Sequence, residues 1–487
     1  MRGADPSESS PETFSPDRAG RAPRSSDVSG ERARVLELLQ RFGWNATSFQ
    51  CLQPGFAHWF EGTTACVAYV DTGRAWVAAG APICDEAALG AVARAFVRAA
   101  SEQGRAAVFF ATERRFADSG FERLLIGAQP VYDPQRWPET LRRTHSLREQ
   151  LRRGRAKGVQ VSGVRAEDVS AAGAPLRLEV EALIAAWRRA KPMPPMGFLV
   201  RVDPFDFAHE RRLFVARRKT QSGESLVGFA AVVPVFARGG WFIENLIRAP
   251  DAPNGTAELL VDAALRDAAD RGSRYVTLGL SPLAGAVPSP LHLARKYASA
   301  LYDFAGLEAF KAKFRPHEWA PIYLSHPRTQ SGYAAVYHSL VAFSRHGLLR
   351  YGIETLLRGP DIVLRILAVL LVPWTLLLAS IDAQRWFPAA WVHWSWVAFD
   401  IGLCVALYSL STRYRPWLSR TLVVLVSADA ALTTLQALVF NLPRLRNPGD
   451  ALVLLVALLA PAVASLILAS AHRRRARVDA TTPPAMG

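Results

Sequence analysis

Beyond Gly359 the sequence turns apolar in four runs, about Ile362 to Ile381, Ala389 to Leu410, Leu418 to Phe440 and Ala451 to Ala471. A helix rises about 1.5 Å per residue, so each run is long enough to cross roughly 30 Å of hydrocarbon. Buried core helices would be shorter and amphipathic at their flanks. The pattern therefore predicts four transmembrane helices over 362–472 and a tail over 473–487. Arg345, Arg350 and Arg358 precede the first run, Arg413, Arg415 and Arg420 join the second to the third, and Arg473, Arg474, Arg475 and Arg477 follow the fourth. The other two loops carry only Arg385 and the pair Arg444 and Arg446. The bias of Arg and Lys toward cytoplasmic loops places both termini and all of the region before the first run in the cytoplasm. Asp400 and Asp429 fall near the centres of their runs, where a charge costs on the order of 3 kcal/mol. They read either as an intramembrane functional pair or as a hydrogen-bonded pair joining two helices.

The rest of the 487 residues can form more than one domain. A net charge of +16 favours a polyanionic partner, nucleic acid or anionic lipid. The four cysteines form no CxxC or CxxH pair, so neither a zinc site nor a disulfide framework is expected. Residues 1–30, rich in Ser, Pro, Gly and charge, lack a signal peptide's apolar core and read as a disordered tail.

Two stretches repeat one order of elements. In 31–137 a helix is followed by a hairpin (TTACVAYV and AWVAAG around Asp71-Thr72-Gly73-Arg74), a helix over 85–103 and a strand, RAAVFFAT. In 159–327 a helix over 176–191 stops at Pro192, then come three strands, the helix TAELLVDAALRDAADRG and the strand RYVTLGL. Helix, meander, helix, strand suits a mixed α/β sheet and resembles a duplicated N-acetyltransferase-like unit. Residues 328–361 link it to the apolar runs.

Between the halves, over 138–158, lies LRRTHSLREQLRRGRAKG. Leu141, Thr144, Leu147 and Leu151 make one narrow apolar stripe, which predicts a single helix from Pro138 to Gly154 or Gly158. Arg142, Arg143, Arg148, Arg152, Arg153 and Arg155 cover the remainder, with Glu149 the one acid in this stretch. So one-sided a charge favours a polyanion over a merely solvated face.

Two further stretches bear on chemistry. FIENLIRAPDAPNGTAELL ends a strand at Glu244, Asn245 and Arg248, then turns through Asn254-Gly255 into a helix N-terminus, a place for an anion or oxyanion. Lys311, Lys313 and Arg315 alternate with Phe310, Ala312 and Phe314, which predicts a strand with one cationic face. Each also has an ordinary structural reading, as a capped turn and as a solvated edge strand. GxSxG, HExxH and Walker signatures are absent.

With these motifs in the order AYVDTGRAWVAAGAPIC, LRRTHSLREQLRRGRAKGVQV, NLIRAPDAPNGTAELLVDAAL, YVTLGLSPLAG and YDFAGLEAFKAKFRPHEWAPIYL, the region 35–325 resembles the catalytic domain of bacterial phosphatidylglycerol lysyltransferases, the multiple peptide resistance factor type. The resemblance implies tandem N-acetyltransferase-like domains joined by a basic, tRNA-binding helix. It implies transfer of an amino acid, lysine or alanine, from aminoacyl-tRNA to a lipid hydroxyl such as the phosphatidylglycerol headgroup, at the bacterial inner membrane and without metal or other cofactor. It leaves homo-oligomerisation open. Asn245 and Arg248 fall where the family has Asp and Arg in D-L-x-R, so Arg248 would bind an anionic or carbonyl oxygen, while an amide at 245 cannot act as a base. Glu244 is adjacent, but neighbouring strand residues face opposite sides unless the strand bulges. Lys311, Lys313 and Arg315 match the family's basic motif and would hold lipid or tRNA phosphate. In the family a larger membrane domain precedes the catalytic one, whereas here the apolar runs follow it. An acyl-CoA-dependent acyltransferase and a non-catalytic membrane protein binding lipid or tRNA are the alternatives.

Overall fold

The computed structural model describes residues 25–480 except 192–193, 222, 283–303, 345–346, 359 and 413–414. Pro192, Arg345 and Arg413, the first 24 residues of the expected tail, and parts of the SPLAG and YDF motifs thus lie outside the described residues. Residues 25–30, expected in the tail, instead begin helix α1 (Ser25–Phe42).

The first half continues with β1 (Ala57–Glu61), β2 (Ala65–Asp71), β3 (Ala75–Ala79), α2 (Leu89–Glu102), β4 (Ala106–Thr112) and β5 (Glu122–Tyr132). The hairpin is β2–β3, with Gly73 supplying the positive φ of its turn. The basic segment is two helices rather than one, α3 (Trp137–Arg143) and α4 (His145–Ala156). Thr144 leaves the helical region at φ −109° and ψ 87°. The Arg148 guanidinium folds back to donate to the carbonyls of Leu141, at 2.6 Å, and Arg142, closing the end of α3.

The second half holds β6 (Val159–Val164), α5 (Pro175–Ala190), β7 (Arg212–Thr220), β8 (Gly223–Val235), β9 (Gly240–Arg248), α6 (Thr256–Asp270), β10 (Val276–Thr277), β11 (Ser281–Pro282), α7 (Phe304–Ala312) and β12 (Glu318–His326). The predicted cationic strand over 310–315 is not a strand: Lys311 lies in α7, and Lys313 and Arg315 lie in the turn after it, Arg315 at φ +53°. Phe310 and Phe314, four residues apart, meet edge to face with ring centroids 5.3 Å apart and pack on the side of α6. That helical spacing outweighs the charge alternation.

All the described strands join one sheet, in the order β1-β2-β3-β4-β12-β5-β10-β9-β8-β7-β6, with β11 beside β5. Each half contributes one parallel pair flanking a helix: β3–β4 around α2, and β9–β10 around α6. This is the N-acetyltransferase-like arrangement, present twice. The halves are not self-contained, because β12, from the end of the second, lies between β4 and β5 of the first and is antiparallel to both. One core, including Val35, Phe49, Val131, Phe198, Val233 and Phe242, spans the two halves.

After β12 come α8 (Gly332–Phe343), α9 (Leu348–Arg358), α10 (Pro360–Ser380), α11 (Ala390–Thr412), α12 (Pro416–Gln436) and α13 (Pro448–Ala480). Leu364, Leu403, Leu422 and Leu468 meet in one core, so α10 to α13 form a bundle. Three described stretches are long and apolar enough to cross a membrane: Ala390–Ser411, Pro416–Arg444 and Pro448–Ser470. In the first of the four expected spans, within α10, the apolar stretch among the described residues is Leu364–Ser380, with Arg365 in its first turn. The expected tail from 473 is helical as far as Ala480. Asp400 is buried, and it lies within electrostatic reach of Asp429, which accepts a hydrogen bond from Thr433 at 3.2 Å.

Candidate active site

β10 runs beside β9 for two residues, Val276 opposite Trp241 and Thr277 opposite Phe242. β10 also pairs with β5 on its other edge, and beyond Thr277 the chain parts from β9 but stays beside β5, where Ser281 pairs with Ala128. A wedge opens between Ile243–Arg248 and residues 278–282. Gly279, at φ +71°, lies where the chain parts from β9, and a Cβ there would stand 2.7 Å from the Phe242 ring.

Lys311 reaches this wedge from α7. Its Nζ donates to the Gly279 carbonyl at 2.8 Å and the Leu280 carbonyl at 2.9 Å, and the residue is buried. Among the described residues it pairs with no carboxylate. Burial lowers its affinity for a proton, to a pKa of about 7. A neutral amine has two N–H groups, which these two carbonyls satisfy, and a lone pair left over; an ammonium would bury a third, unmatched donor. Lys311 is therefore not an exposed phosphate ligand. Lys313 pairs with Glu258 at 3.3 Å, and Glu258 also accepts from Gln150, which ties α7, α6 and α4 together. Arg315 lines a shallow cavity of about 200 Å³ with Arg136, Arg143 and His317.

β9 bulges at Glu244: Asn245 is opposite Ala231 and Ile243 opposite Val232, so Glu244 has no partner across the ladder. Ile243 and Leu246 face the α6 side, whereas Ile247 and Ala231 pack on the α5 side. Asn245 thus faces the α5 side. The Glu244 carboxylate is wholly enclosed and pairs with Arg211 at 2.5 Å, with Gln53 donating to it at 2.9 Å. It is held by that pair and is not a free base. The Asn245 Oδ1 and the Gln53 Oε1 are both buried without a hydrogen-bond partner, an arrangement suited to a donor from outside the described chain. Arg248 is exposed at the end of β9, with Lys191 within electrostatic reach.

The Asn254-Gly255 turn leads into α6, as expected, but its glycine is packed against α4: a Cβ on Gly255 would stand 2.9 Å from the Gln150 carbonyl and 3.2 Å from Gly154. Two of the six arginines named from the sequence are structural ties. Arg148 closes α3, and Arg155 pairs at 2.9 Å with the buried Asp262, which also takes Trp137 and Arg266. Arg142, Arg143, Arg152 and Arg153 face solvent, the last two sharing Glu149. Lys311's setting, Gln53 and Arg211 carried no local sequence signal, since their partners lie 30 to 190 residues away.

Twinned parallel-pair units, one opened into a wedge with a buried amine, define the class as a tandem N-acetyltransferase-like protein. A family model described as phosphatidylglycerol lysyltransferase, C-terminal, matches residues 36–326, and the chain belongs to that family. A phosphatidylglycerol lysyltransferase of Bacillus subtilis (strain 168) is 29% identical over 135 residues, 26% of this chain and 16% of that protein. The chain thus matches about a sixth of that relative's length. The C-terminal domain of a putative lysylphosphatidylglycerol synthetase from Agrobacterium fabrum superposes with a TM-score of 0.55 at 22% identity, over 65% of this chain and 96% of that one. The L-PGS structure from Bacillus licheniformis superposes with a TM-score of 0.54 at 20% identity, over 64% and 95%. These two share the fold.

Proposed function

We propose that this chain is a membrane-bound aminoacyltransferase that moves an amino acid, lysine or alanine, from aminoacyl-tRNA to a lipid hydroxyl such as that of the phosphatidylglycerol headgroup. The observation that carries the reading is the Lys311 amine, buried at the wedge with its two N–H groups on carbonyls. The donor is an activated ester, so catalysis consists of positioning the hydroxyl and taking its proton. The hydroxyl oxygen bonds to the ester carbonyl carbon, and its proton passes to Nζ of Lys311. The bond from that carbon to the ribose oxygen then breaks, and the ribose oxygen takes the proton. Asn245 does not serve as base; its amide is suited to orienting the aminoacyl group. Arg248 meets the lipid phosphate, while Arg142, Arg143, Arg152 and Arg153 meet tRNA. The apolar bundle holds the catalytic region at the cytoplasmic face of the inner membrane.

Membranes carrying the chain are given labelled lysyl-tRNA, alanyl-tRNA or acetyl-CoA, and label in extracted lipid is counted. Label from an aminoacyl-tRNA supports the reading. Label from acetyl-CoA alone, or none from any donor, contradicts it.

A further inference from the structure

Helix α8 is apolar on two opposite sides. Its sequence, GYAAVYHSLVAF, contains no Asp, Glu, Lys or Arg. Ala335, Ser339 and Ala342 are buried, and Phe343 packs on Phe110 and Phe198. The other side carries Tyr333, Tyr337 and Leu340, 80%, 49% and 51% exposed, at the spacing of one helical stripe. Leu349, 80% exposed, follows at the start of α9. A helix without Asp, Glu, Lys or Arg and apolar on both of these sides needs a cover on its free side.

We infer that the bilayer interface covers it: α8 lies on the membrane surface with Tyr333, Tyr337, Leu340 and Leu349 among the headgroups and upper acyl chains. Three observations select lipid as the occupant. Four residues separate α8 from α9, a reach of about 14 Å at most, and α9 packs directly on α10 and α13. The stripe is thus next to the outward-facing apolar belt of the bundle, where Leu376, Val405, Val424 and Leu466 are each about two-thirds exposed. Tyrosine, with an apolar ring and a polar tip, is the side chain suited to that depth. Arg74 lies near His338, and Arg328 and Arg350 flank the helix, both largely exposed though paired with Glu122 and Glu354, so cations are within reach of anionic headgroups. The inference rests on the bundle's being membrane-embedded and is independent of the reaction. It would fix the height and tilt of the sheet, whose β4 and β12 carry α8.

The test uses the full chain, with Cys404→Ser, in nanodiscs containing phosphatidylglycerol. Spin labels are placed singly at Tyr333→Cys, Leu340→Cys, Val424→Cys in the bundle and Glu102→Cys on the exposed end of α2. Relaxation by oxygen and by a water-soluble nickel complex is compared. The expected result is that 333 and 340 favour oxygen, as 424 does, while 102 favours nickel. Nickel access at 333 and 340 with oxygen at 424 overturns the inference alone. Nickel access at 424 as well overturns the membrane reading with it. Dipolar broadening between labels at 333 would mean that a second copy covers the stripe, which also overturns it.

Discussion

The amine of Lys311 lies 2.8 Å from the carbonyl of Gly279, at the point where the second parallel strand leaves β9, and Gly279 rests against the ring of Phe242. Gly279→Ala would place a methyl 2.7 Å from that ring on a left-handed backbone. The variant should melt lower and lose transfer activity together, because the carbonyl that positions Lys311 has to move. Thermal melting and transfer rate in the same preparation check this.

Lys311 also makes stability depend on pH. Its proton affinity falls on folding, to a pKa of about 7 against an ordinary value near 10.4. Between these values the unfolded chain binds more protons, so stability rises with pH through that window, by up to about 1.4 kcal/mol per unit. Lys311→Met should remove this part of the slope of melting temperature against pH. Transfer by the wild type should rise through about pH 7 and then level, since the neutral amine is the active form.

Arg211 and Glu244 form an enclosed pair. Removing one charge leaves the other buried and uncompensated, a loss of about 3–5 kcal/mol. Glu244→Leu should therefore melt well below Arg211→Met/Glu244→Leu, as a denaturation series on the single and double variants would show.

Arg152 and Arg153 face solvent, whereas Arg155 is tied to Asp262. Arg152→Ala/Arg153→Ala should make the slope of log affinity for tRNA against log salt shallower by about 1 to 2 units, with melting unchanged. Arg155→Ala should instead lower the melting temperature. An unchanged salt slope in the double variant would remove this face from tRNA binding.

Much of this was legible from the sequence where the information is local. The β2–β3 hairpin shows through its Gly73 turn, and α6 through its 3.6-residue period. The insertion of β12 between β4 and β5 was not, because pairing across some 200 residues leaves no mark in either strand's own pattern. At 310–315 two periods compete. The cations alternate like a strand, while Phe310 and Phe314 repeat like a helix, and it is the aromatic pair that packs in the core. The residues at 244, 245 and 248 read as a cluster, but the bulge at Glu244 depends on the pairing with β8, and its commitment on Arg211, just before β7, and on Gln53.

The central claim is that the buried Lys311 takes the proton of the acceptor hydroxyl. The most direct measurement is lipid-extractable label from labelled aminoacyl-tRNA, with wild type and Lys311→Met compared at equal folded protein and equal tRNA binding. A loss of at least about 100-fold in rate is predicted. Equal label from the two proteins would contradict it.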